Sequence, residues 1–324
     1  MKSLPGYTDR LSFGCETPGK LRSVMLHNPG GSLNIINSNN YKIWLFNAVP
    51  DVRGYIREHM SYRELLASKG VNVYELSEYV CENGVLMSML PNLAYIQDTA
   101  VIASKGAILS RMALRGRRDE EVVVKEALGN LGIPLLSEFD DPQDHFEGCL
   151  LLSPETVLVC ATERHSYYSV WKFLLRTVKE FKEVLYVNLP KERRFMHPST
   201  VYGRISNRLS MAFLPAFSET FLFTENGSKK INFESFMKEK EVEIIDVSDS
   251  EQRNLACSFV LLEEGVMLHY DTALSRKTLR RLSSRGVETL FFHPRALLSG
   301  GGSLRCLTLE LYREPEEKGQ TKGG

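Results

Sequence analysis

Cys306 follows a run of three glycines in the segment Ser299–Thr308, SGGGSLRCLT. Consecutive glycines can adopt positive φ and turn backbone N–H groups toward one point, a nest for an anion or an oxygen. A cysteine where such a loop runs into an apolar strand would face a cleft. A thiolate nucleophile needs an acid/base partner, and usually a carboxylate to orient it. Of the seven histidines, His27 and His269 fall in apolar strand-like runs, His59 in a helical run and His293 ahead of a proline, all structural settings. His197 differs, standing in RRFMHPST after a strand and a charged turn. Two carboxylates hold similar places: Glu147 in DHFEGCLLL and Asp98 in PNLAYIQDTAVI each precede a strand. On local grounds alone, a flexible turn beside a small buried thiol, with ordinary surface charge, accounts for the same residues.

The elements that must position these groups follow from hydrophobic periodicity. Short apolar runs alternate with helical stretches. The first strands are Leu21–His27 and Val71–Leu76, with a helix over Tyr55–Lys69 stopped by Gly70. A second group pairs Ala100–Ala103 with Ala107–Met112 and adds a helix over Glu120–Leu131. A third pairs Cys149–Leu152 with Thr156–Ala161, then a helix Tyr168–Phe181 and a strand Glu183–Val187. The last pairs Ala256–Leu262 with Val266–Tyr270, then a helix Ser275–Arg285 and a strand Val287–Phe292. Each group reads hairpin, helix, strand. A ββαβ unit of about 55 to 65 residues repeats roughly five times in this length. An open α/β sheet would show few hairpins, and the turns at Ser104–Gly106, Ser153–Glu155 and Glu263–Gly265 favour the repeat. Residues 1–313 read as a single α/β catalytic domain, and the Gly- and charge-rich 314–324 as a disordered tail.

Composition sets the outer limits. With 40 basic and 40 acidic residues and 43% apolar content, the 324-residue chain is ordinary for a soluble globular protein. Zero formal net charge argues against a nucleic-acid partner, and no apolar stretch is long enough to span a bilayer. The start, MKSLPGYTDRLSFG, lacks a secretory apolar core. Six scattered cysteines without a C-x-x-C pair suit neither a disulfide framework nor a zinc site, which leaves a reducing cytoplasm with mostly buried thiols.

The order and context of the four candidate residues carry a resemblance. From Lys20 to Thr308 the chain resembles the guanidino-group-modifying enzymes, most of all arginine deiminase. GKLRSVMLHNPG resembles that family's first strand. PNLAYIQDTAV resembles its N-L-Y-F-T-R-D-P-F, FEGCLLL its F-E-G-G-D, FMHPSTVYGRIS its M-H-L-D-T-V-F, and GGGSLRCLT its G-G-P-R-C-M-S. The resemblance implies Cys306 as nucleophile, His197 as acid/base, Glu147 as the catalytic glutamate and Asp98 as the carboxylate that grips the guanidinium. It also implies that Arg117, 19 residues after Asp98, and Arg164 in CATERHS bind the substrate carboxylate. The implied fold is a five-bladed αβ-propeller, the pentein fold, in agreement with the repeat.

Departures from the family pattern bear on substrate. The second guanidinium carboxylate, the aspartate of H-x-D, is Ser199 here; the R-D arginine is Gln97 and the E-G-G-D aspartate is Leu150. An arginine of the glycine loop is replaced near Gly301, and the family's inserted helical domain is absent, since Phe46 and Asp98 are only 52 residues apart. The expected activity is therefore cysteine-dependent hydrolysis of a guanidino or amidino C–N bond through an S-alkylthiouronium on Cys306, with a small modified or non-arginine guanidino compound as partner. It requires no metal and no cofactor. Two alternatives stand beside it: an amidinotransferase, in which an amine replaces water, and an inactive ligand-binding paralogue, motivated by Ser199. Assembly into a homo-oligomer is left open.

Overall fold

The computed structural model describes residues 11–139 and 141–315. Five separate sheets form, and the same ββαβ unit builds each one. In the second unit, Ala100–Ala103 pairs antiparallel with Gly106–Leu109, and Leu135–Ser137 returns parallel after the helix Glu120–Asn130. The third repeats this with Leu150–Ser153, Thr156–Ala161, the helix Tyr167–Thr177 and Glu183–Asn188. The fifth does so with Val260–Glu263, Val266–Tyr270, the helix Arg276–Ser283 and Glu288–Phe292.

The periodicity does not mark two features. A fourth unit is built from Tyr202–Arg204, Leu209–Ala212, the helix Phe233–Glu239 and Glu243–Asp246. Its first strand is only three residues long, and an inserted hairpin, Thr220–Thr224 with Gly227–Ile231, leaves to extend the third sheet beside Glu183–Asn188. In the first sheet, Lys20–Leu26 pairs parallel with Asn72–Glu75, and its antiparallel partner is Leu309–Glu314 from the far end of the chain. Glu314, assigned to the tail by sequence, is thus the last residue of a strand, opposite Lys20; residues 316–324 lie outside the described residues.

The helix of the first unit shows how the repeat buries its faces. Val52–Ser68 starts at Asp51, whose side chain accepts the Gly54 N–H, and it buries Tyr55, His59, Tyr62 and Leu66 at spacings of four, three and four. Each such apolar side chain contributes about 1.5–3 kcal/mol on burial. Burial pulls His59 down to about 4, so it packs as a neutral ring. One further feature concerns all five sheets: a single cavity is lined by Ile102, Leu151, Gly203, Leu261 and Leu309, one residue from the first strand of every unit. Among the described residues, no helix is long and apolar enough to cross a membrane.

Candidate active site

The strand that opens each unit is preceded by a short connection, and the candidate residues sit in these connections. Asp98 lies in the tight turn Ile96–Thr99 just before Ala100. Glu147 precedes Leu150; a reciprocal pair of hydrogen bonds between Arg111 and Phe146 fixes its backbone, and Gly148 turns the chain immediately after it. His197 precedes Tyr202 at the entry to the turn Pro198–Thr200, whose Thr200 donates backbone N–H and hydroxyl to the His197 carbonyl at 3.0 and 2.7 Å. Cys306 precedes Leu309, and its carbonyl accepts the Gln97 N–H at 3.1 Å, tying the thiol's loop to that of Asp98. The fifth unit supplies Ser258, two residues before Val260.

These connections converge. His197 lies between two carboxylates, with Nε2 2.6 Å from Glu147 Oε2 and Nδ1 3.2 Å from Asp98 Oδ1. Glu147 is sealed from solvent and also accepts the Ala113 N–H at 2.9 Å. Burial alone would raise its pKa, but the hydrogen bond and charge of His197, with Arg164 and Arg117, outweigh it and hold the carboxyl down at about 2. One cavity is lined by Asp98, His197, Arg117, Arg164, Thr200 and Cys306. Glu147 stands behind His197 and does not line it, nor does Ser199, which is buried in the same turn as Thr200.

Cys306 Sγ lies 3.4 Å from Ser303 Oγ, which donates in turn to Ser258 Oγ at 2.9 Å. Burial and, next, the charge of Asp98 push the thiol above its ordinary value of 9.0, while the serines draw it down. With no cation beside it, the thiol is therefore protonated at neutral pH. Arg305, its neighbour in sequence, lines a different cavity.

The two arginines differ. Arg117 donates to Asp98 Oδ2 at 2.6 Å, to Glu120 Oε2 at 2.9 Å through Nε, and to the Tyr95 carbonyl at 2.8 Å. All three of its nitrogens are engaged, and its present role is to hold Asp98 rather than to await a ligand carboxylate. Arg164 is equally buried, yet its Nη1 has no hydrogen-bond partner among the described residues and sits 3.5 Å from Glu147. Arg193 also lines the cavity; burial and then the charge of Arg164 pull its basicity down.

The glycines act differently from the expected nest. Only Gly301 has a positive φ, at 77°. A Cβ on Gly300 or Gly302 would fall 1.6 or 2.3 Å from the Tyr95 ring or hydroxyl, so these positions are glycine because Tyr95 packs against the loop. Strain appears instead at Leu45 and Leu255, two lining residues with φ near +60°. Tyr95, Arg193, Ser258 and Ser303 are the site residues that sequence reasoning missed. Ser258 is hidden because the apolar run reads as a strand from Ala256, whereas the strand begins at Val260.

Sheets built from ββαβ units, with the candidate residues collected from the connections before their first strands, are the arrangement of the pentein fold, and comparison with known proteins places the chain in the guanidino-group-modifying superfamily. Among solved structures, the N-terminal domain of ArgZ, a cyanobacterial arginine dihydrolase bound to product, aligns over 90% of this chain and 97% of its own with a TM-score of 0.65 and 16% identity. A dimethylarginine dimethylaminohydrolase adduct aligns over 90% and 100% with a TM-score of 0.64 and 13% identity. A family model for arginine deiminase matches residues 77–313, and the chain belongs to that family. The arginine deiminase of Listeria monocytogenes is 28% identical over 257 residues, 69% of this chain and 62% of that enzyme. That of Mycoplasma capricolum is 22% identical over 387 residues, 91% of this chain and 96% of that enzyme. The chain thus spans less than two thirds of the length of the Listeria relatives it matches.

Proposed function

We propose that the protein hydrolyses a guanidino or amidino C–N bond with Cys306 as nucleophile, and that its sheets close into a five-bladed propeller around the site. The observation that carries this reading is the meeting of Cys306, Asp98 and the Glu147–His197 pair at one cavity in a member of the arginine deiminase family. The cavity shared by the first strands of all five sheets supports the ring.

A guanidinium carbon is a poor electrophile, and Asp98, steadied by Arg117, would fix one face of it toward Sγ by charge-assisted hydrogen bonds. The bound cation offsets the Asp98 charge that disfavours the thiolate, so ionisation follows binding. The sulfur forms a C–S bond and gives a tetrahedral adduct. His197, whose imidazolium form faces Glu147 and Asp98, protonates the departing nitrogen, and the C–N bond breaks to leave an S-alkylthiouronium. His197 then takes a proton from water; the hydroxide adds, its remaining proton passes to solvent as the C–S bond breaks, and a ureido product leaves with the thiolate regenerated.

Arg164 and Arg193 are the arginines with capacity for a ligand carboxylate, which favours a guanidino acid. Ser199 stands where the family has a second guanidinium carboxylate and does not line the cavity, so free arginine should react slowly and a modified or differently sized guanidino acid faster. The test is intact-mass spectrometry and ureido-product analysis with a panel of guanidino and amidino compounds, arginine included, on the wild type and Cys306→Ala. A mass adduct and product in the wild type alone are expected, with about 10³-fold less turnover in the variant. Amidino transfer to an added amine, or neither adduct nor product across the panel, would overturn hydrolysis.

A further inference from the structure

A second cavity, of about 70 Å³, shares no lining residue with the site and yet adjoins it residue by residue. Asp98 and Cys306 line the site; their immediate neighbours Gln97 and Arg305 line the second cavity. The Gln97 N–H to Cys306 carbonyl bond forms part of the partition between them. This is also the cavity bounded by the first strands of all five sheets.

Its charges do not balance. Arg204, Arg305 and Arg313 line it against one carboxylate, Glu310. Arg313 is satisfied: Nε and Nη2 each lie 2.8 Å from Glu310, and the Gly19 and Leu261 carbonyls accept its remaining donors at 2.9 and 2.6 Å. Arg204 reaches only the backbone carbonyls of Glu16, at 2.8 Å, and Leu152. Arg305 makes no side-chain hydrogen bond among the described residues, and its Nε is buried without a partner. Neither of these two has a carboxylate within salt-bridge distance among the described residues. Gln97 adds an amide whose oxygen is also unpartnered and which presents N–H donors when turned over. Two half-buried cations facing one small space without a paired carboxylate favour an anion placed between them.

We propose that this cavity binds a compact inorganic anion, a halide or a small oxyanion, between Arg204 and Arg305. The space holds only a handful of water-sized groups, which suits chloride or phosphate and excludes a guanidino acid. Burial, with the charges of Arg313 and Arg305, pulls Arg204 down to about 10, as an unneutralised cluster requires, and a bound anion would reverse this.

The test is thermal unfolding of the full chain in sodium gluconate, with chloride or phosphate substituted at constant ionic strength. A saturable rise of about 5 °C near a hundredfold excess over Kd is expected for at least one of the two, gluconate being too large to enter. A response to chloride identifies a halide, and a response to phosphate alone an oxyanion. Arg305→Gln removes a side chain that makes no hydrogen bond, so it should leave unfolding in gluconate unchanged or raised and abolish the anion-specific rise. Equal unfolding in all three salts, or an undiminished rise in Arg305→Gln, would overturn the site. Where chloride raises the unfolding temperature, bromide soaked into crystals gives a measurement independent of any variant: an anomalous peak between Arg204 and Arg305 is expected, and an empty cavity at saturating bromide overturns the site.

Discussion

Arg117 and Arg164 are both nearly sealed from solvent, both lie beside a carboxylate and both line the same cavity, yet the two walls they belong to are built on opposite terms. On the Asp98 wall every nitrogen of Arg117 has an acceptor, and the network of Asp98, Glu120 and the Tyr95 carbonyl closes on itself. On the opposite wall Arg164 leaves Nη1 without a partner, Arg193 crowds it with a second positive charge, and Leu45 and Leu255 hold strained backbone. A saturated arginine is scaffold; an arginine with an unused donor is a place for a ligand. Burial alone does not distinguish them, since both are buried to nearly the same degree.

Paired substitutions would break this contrast most directly. Arg117→Gln should strand Asp98 and Glu120 as buried carboxylates and cost about 3–5 kcal/mol of stability, read as a lower denaturant midpoint. Arg164→Gln should leave the midpoint within about 1 kcal/mol of wild type while raising KM roughly 30- to 100-fold, as loss of a charge-assisted carboxylate contact implies. If both variants lost stability equally, or if Arg164→Gln kept its KM, the two walls would not differ as described.

A titration sharpens the contrast at the thiol. Burial and the Asp98 charge place the folded-state Cys306 pKa above 9.0, so the reactive thiolate is scarce at neutral pH and grows as pH rises toward that value. Iodoacetamide labelling of Cys306 in the empty protein should therefore climb with pH to a midpoint above 9, with exposed Cys81 as the internal reference. Asp98→Asn removes one raising influence and should lower the midpoint. A rate independent of pH, or a midpoint that Asp98→Asn does not move, would show that the wall does not control the thiol.

The smallest effect concerns strain. Leu255→Gly relieves an αL backbone that costs a leucine about 1–2 kcal/mol but also deletes a half-buried side chain. Net stability should change by less than about 1 kcal/mol, with KM rising a few-fold as the rim loosens. A destabilisation of several kcal/mol would mean that the leucine is packing and not strain.

Legibility in the sequence follows the same division between local and distant causes. The hairpins at 100–109, 150–161 and 260–270 are plain because strand, turn and strand are neighbours in the chain. The fourth unit is obscured by a three-residue opening strand and an inserted hairpin that belongs to another sheet. The sequence names Asp98, Glu147, His197 and Cys306, because motif and strand-end position coincide. It does not disclose that every nitrogen of Arg117 is engaged while Nη1 of Arg164 is not, because that depends on where Asp98, Glu120 and the Tyr95 carbonyl fall in space. Nor does it explain the glycine loop, whose constraint is the ring of Tyr95, 205 residues before Gly300.

The pairing of Lys20–Leu26 with Leu309–Glu314 has a consequence for timing. Arg22 and Glu314 are bonded across 292 residues, so the first sheet stays incomplete until residue 314 has been synthesised. Cys306 lies three residues before that final strand and comes into register only when it docks. The long-range closure of the first sheet is thus also the moment at which Cys306 arrives.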